Sequence, residues 1–98
     1  MASYFTGTTV RLTAEFKDRD GSLFDPSPGP RLIINDVKAV KHTYRYPTDA
    51  IIVKDSTGEY HADLSIPSVG TIQWAWACDQ TGQESYTEGH FDVKPRSL

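Results

Sequence analysis

Apolar side chains in this sequence recur at every second residue. In "TTVRLTAEF", Val10, Leu12, Ala14 and Phe16 fall on one side of an extended chain, and Arg11, Thr13 and Glu15 on the other. In "EYHADLSI", Tyr60, Ala62, Leu64 and Ile66 point one way, and His61, Asp63 and Ser65 the other. A period of two marks a strand with one buried face. No window carries a helical period of useful length. Strands of this kind hide their apolar faces by packing one sheet on another.

Turn signals separate the strands. Asp20-Gly21 breaks "KDRDGS", Pro47-Thr48-Asp49 turns the chain, and "DSTGE" and "PSVG" turn it again. "FDPSPGP" sets three prolines, Pro26, Pro28 and Pro30, within five residues, which excludes helix and central strand alike. Between these breaks "RLIIND", "KHTYRYP", "AIIVKD", "TIQWAWACD" and "YTEGHFDVK" read as further strands. The expectation is an all-β fold, a seven-stranded antiparallel immunoglobulin-like β-sandwich, forming one domain over residues 1–98. Residues 1–7 are expected as an N-terminal arm and 94–98 as a C-terminal tail.

The strand "TIQWAWACD" raises the question of a ligand platform. Ile72, Trp74, Trp76 and Cys78 share one face; the other holds Thr71, Gln73, Ala75, Ala77 and Asp79. Were the tryptophans exposed, the strand would have almost nothing to bury. Trp76 and most of Trp74 therefore belong to the core, where two indoles contribute several kcal/mol to a small domain. The alanines leave room for a close neighbour on the outer face, or make that face flat and solvated.

The 98-residue chain has one cysteine, Cys78, so an internal disulfide is excluded and a reducing compartment is expected. Its net charge of −3, with scattered Lys and Arg, argues against nucleic acid as a partner. No apolar run approaches the ~18 residues of a membrane span. The opening "MASYFTGTTV" has neither the basic nor the apolar region of a signal peptide. No phosphate loop, zinc-protease motif or nucleophile elbow is present, so neither catalytic residues nor cofactors are assigned. His61 and Asp63 share a strand face and could form half of a metal site with His90 if the last strand lay alongside. Solvated polar residues explain the pair equally well, and no metal is assigned. The carboxylates of "DRDGS" are too few for an EF-hand calcium loop and suit the capping of turn amides.

"TTVRLTAEFKDRDGSLFDP", "DAIIVKDSTGEYHADLSIPSVGTIQWAWAC" and "EGHFDVKP" together resemble a family of small immunoglobulin-like proteins from tailed bacteriophages and prophages. The shared features are Asp20-Gly21, Asp25-Pro26, the run Lys54 to Leu64, Gly70 before the Trp74–Trp76 strand, and Gly89 to Val93. Antibody-type paired cysteines are missing; Ala62 stands where the second would be. The resemblance implies a non-enzymatic virion protein, assembled in the bacterial cytoplasm. It would dock on the capsid surface, the head–tail neck or the tail by contact with other virion proteins or copies of itself.

The residues expected to make those contacts are Tyr4 and Phe5, ahead of the first alternating strand; Pro26, Pro28 and Pro30 of the stiff loop; and Lys94 and Arg96 near the end of an acidic chain. The alternative is a carbohydrate-binding or adhesion module that uses the aromatics Tyr4, Phe5, Tyr44, Tyr46 and Tyr86.

Overall fold

The computed structural model describes residues 2–96. Among them are eight strands and no helix: β1 (Ala2–Phe5), β2 (Thr9–Glu15), β3 (Arg31–Asn35), β4 (Lys41–Arg45), β5 (Ile52–Ser56), β6 (Glu59–Ser65), β7 (Gly70–Cys78) and β8 (Ser85–Lys94). They form a five-stranded sheet in the order β1-β8-β7-β3-β4 and a three-stranded sheet in the order β2-β6-β5. Val10, Leu12, Ile52, Tyr60 and Ala62 of the smaller sheet share one buried cluster with Leu32, Ile34, Ile72, Trp76, Phe91 and Val93 of the larger. The chain is thus a β-sandwich.

The strand count departs from seven because residues 2–5 form a strand of their own. β1 lies parallel to β8, with Ala2 opposite Phe91 and Phe5 opposite Lys94, whereas the other strand pairs are antiparallel. The segment expected as a free arm is therefore tied to the far end of the sequence over most of its length. Met1 of that arm, and Ser97 and Leu98 of the expected tail, lie outside the described residues.

The motif residues behind the family resemblance converge on one carboxylate. Asp25 accepts hydrogen bonds from Lys54 Nζ at 2.7 Å, the Gly58 amide at 2.9 Å and Tyr60 Oη at 3.3 Å. These contacts hold the Asp25 carboxyl below the usual carboxylate range, the Lys54 hydrogen bond first among them. Gly58 completes the knot. Its φ of +73° is left-handed, and a Cβ there would stand 2.9 Å from the Phe16 carbonyl and 3.0 Å from the Phe24 amide. Its own carbonyl accepts from the Phe16 amide at 2.8 Å, and Phe24 in turn donates to Phe16. The loop preceding the prolines is thus fastened to the β5–β6 turn.

Trp76 is 3% exposed, as its strand face requires. Trp74 is half-buried and reaches across its partner Gly89 on β8, where a Cβ would come within 2.5 Å of the indole. Ala75 and Ala77 are buried although they face outward. Their cross-strand neighbours are Ile33 and Glu88, and Arg31 and Tyr86, whose longer side chains rise on either side of the small ones.

His61 corrects the expectation of a solvated side chain. It lies on the outer side of β6, the middle strand of its sheet, and only 11% of its side chain is exposed. Its Nδ1 stands 2.7 and 2.8 Å from the two carboxylate oxygens of Asp55 on β5. Asp63 is engaged by Arg11 through two hydrogen bonds of 2.9 and 3.1 Å. His90 belongs to the other sheet, so His61, Asp63 and His90 are not brought together. The acidic turns serve the backbone. Asp18 Oδ1 accepts from the amides of Asp20 and Ser22, and Asp36 Oδ1 does the same for Lys38 and Val40.

Candidate functional site

Four of the expected contact residues gather at one end of the sandwich. β1 is held there by its parallel ladder and by Tyr4, whose ring meets Phe91 edge-on at 5.2 Å. Alternation along β1 then turns Phe5 outward beside Lys94, and it is 56% exposed. The chain leaves β1 through a tight turn, with the Thr8 amide donating to the Phe5 carbonyl at 3.2 Å, and crosses to the other sheet as β2. Thr6 donates to Lys94 O and Gly7 to Ile66 O, both at 3.0 Å. Arg96 closes the arrangement: its Nε donates to Thr6 O at 2.7 Å and its guanidinium lies against Gly7.

Tyr4 is thereby an anchor of the fold, and Phe5, Lys94 and Arg96 form the presented surface. Two further apolar side chains share this end. Val69 (54% exposed) precedes Gly70, whose partner on β8 is Val93. Val40 (50% exposed) sits in the β3–β4 turn beyond the Asn35–Lys41 pair. Sequence reasoning passed over both, because single valines beside turns carry no pattern.

The proline loop lies at the opposite end. It enters β3 at Arg31, which pairs with Ala77, seven residues along β7 from Gly70, a separation of about 23 Å at ~3.3 Å per residue. Pro26 and Pro30 are buried and only Pro28 is exposed. The loop is fastened by Ser27 N donating to Gln80 Oε1 at 2.9 Å and by Arg45 Nη1 donating to Gly29 O at 2.8 Å. Arg31 grips Asp79 with two hydrogen bonds of 2.7 and 3.1 Å, and Arg45 adds a third of 3.0 Å. Both guanidiniums hold the Asp79 carboxyl below its ordinary range, Arg31 foremost. The prolines and the chain ends therefore do not form one surface.

The aromatics weighed for sugar binding are dispersed. Tyr44 and Tyr46 are half-buried against the core, with Tyr46 edge-on to Tyr60 at 5.2 Å. Tyr86 is 60% exposed, but it stands eight residues from Lys94 along β8, roughly 26 Å from Phe5. The hollow beside Tyr86, of about 230 Å³, has Ala75, Gln73 and Lys41 in its lining.

No protein-family model, curated protein or solved structure matches the chain.

Proposed function

We propose that this protein is a non-enzymatic structural component of a tailed-phage particle. It docks on the capsid surface, neck or tail through the end of the sandwich where β1 and β8 meet. Phe5 is the observation that carries the docking surface. It is a large apolar side chain held in solvent by a strand that cannot turn it inward, because Tyr4 already occupies the inner position. An aromatic fixed in this way loses little freedom on binding, and such residues dominate many interfaces. Lys94 and Arg96 beside it add positive charge for the rim of an acidic partner.

The phage assignment itself rests on the resemblance of the sequence segments. The strand order supports the immunoglobulin-like reading that goes with it. β2, β6 and β5 correspond to strands B, E and D of that architecture, and β4, β3, β7 and β8 to C′, C, F and G, so Ala62 lies on E and not on F, where the second antibody cysteine would stand. The Asp25 knot gives these motif residues a role in holding the fold, which needs no catalytic function to account for them.

The test is mass spectrometry of purified particles of a phage encoding this chain, followed by the Phe5→Ser variant. The expected result is that the protein is present in virions and that the variant folds normally but is incorporated at least tenfold less. Absence of the protein from virions overturns the assignment. Normal incorporation of the variant overturns the docking surface.

A further inference from the structure

We infer that the lateral cleft between β2 and β8 receives an extended peptide segment of a partner protein, added as a strand along β8. This surface lies apart from the docking end, and the inference stands whether or not the chain is a virion component.

Three observations converge on the cleft. First, β1 covers only Phe91 to Lys94 of β8, and no described residue pairs with the same edge from Ser85 to Gly89. That stretch offers free backbone donors and acceptors, which a strand can take up. β1 itself shows the geometry this edge accepts, a parallel strand in line with Ala2 opposite Phe91.

Second, the sandwich is open at this place. Ser85 and Thr87 lie opposite Cys78 and Trp76 and so face the inner side, yet both are exposed. Hollows of about 280 and 240 Å³ run along β2 and share Thr13 in their walls. Trp76 lines the first and Trp74 the second.

Third, the indole Nε1 of Trp76 is buried and has no hydrogen-bond partner among the described residues. A buried donor left unsatisfied is costly, so an acceptor delivered to it is rewarded. The inward side chains of a strand on β8 would pass between β2 and Trp76, where a carbonyl or hydroxyl oxygen meets that need. The occupant is about five residues long, extended, and carries an oxygen acceptor on its inner face.

The test is to pan a random nine-residue peptide library over the purified, immobilised protein and study the enriched peptides by NMR. Binding should shift the Trp76 indole N–H resonance and protect the amides of residues 85–89 from exchange. N-methylation of alternate peptide amides should abolish it, and Trp76→Phe should weaken it about tenfold. N-methylation leaves the protein untouched, so a poorly folded variant does not obscure the result. A library that yields no binder overturns the inference. So do peptides that leave the indole and the 85–89 amides unmoved, or chitotetraose shifting the same indole where peptides do not.

Discussion

Tyr60 donates its phenolic proton to Asp25, 35 positions earlier in the chain, across 3.3 Å. The phenol is almost wholly buried, and burial above all, with the neighbouring Asp25 charge, pushes its pKa up to about 12 from 10.0. In the unfolded chain it ionises near 10. The folded state therefore keeps a proton that the unfolded state gives up. The stability this contributes is complete below pH 10 and is lost as pH rises from 10 towards 12. Thermal unfolding followed across that window should show a fall in Tm that is smaller in Tyr60→Phe.

The acid limb has the opposite sign. Asp25, Asp36, Asp63 and Asp79 are all held below the ordinary value of 3.8 by hydrogen bonds to cations or amides. Their contribution is present above that value and disappears as pH falls through their lowered folded values. The protein should hold its Tm down to about pH 4 and lose it below. Asp79→Asn, which weakens the grip of Arg31 and Arg45, should flatten that decline.

Gly58→Ala forces a side chain into a left-handed backbone position and against the Phe16 carbonyl. The backbone preference alone costs about 1–2 kcal/mol, and the contact adds to it. Denaturant unfolding should register at least that loss, whereas Gly21→Ala, with no atom of the described residues within 4 Å of the new Cβ, should show the backbone cost alone.

Trp76→Ala should cost about 3–5 kcal/mol, as large truncations in a packed core do. A melting point within a degree or two of the parent would place the indole outside the core. Gly89→Ala should disturb Trp74 rather than Trp76, because the new methyl group meets the Trp74 ring. Its signature is a changed tryptophan emission with the fold retained.

The two sheets were legible wherever one strand decided its own burial. β2 and β6 alternate so regularly that Val10, Leu12, Tyr60 and Ala62 could be assigned to the core from sequence alone. β1 could not be read this way. It has four residues, it pairs with a strand some 90 positions away, and the adjacent aromatics Tyr4 and Phe5 look alike until the ladder sends one in and the other out. His61 escaped for a similar reason: its burial depends on Asp55 lying across the β5–β6 pair. Pro26 and Pro30 read as surface because prolines interrupt strands, but an interruption can still be packed beneath a neighbouring turn. The role of Gly89 became visible only with the register that sets it against Trp74.

The parallel pairing of β1 with β8 also governs how the domain bears tension. A pull on the chain through Ala2 and through Lys94 draws these neighbouring strands in opposite directions along their length. The rungs from Ala2–Phe91 to Phe5–Lys94 are then loaded together in shear, instead of parting one after another like a zip. The Tyr4–Phe91 contact and the Arg96 clasp on Thr6 lie in the same load path. A four-residue strand thus acts as the domain's mechanical fastening.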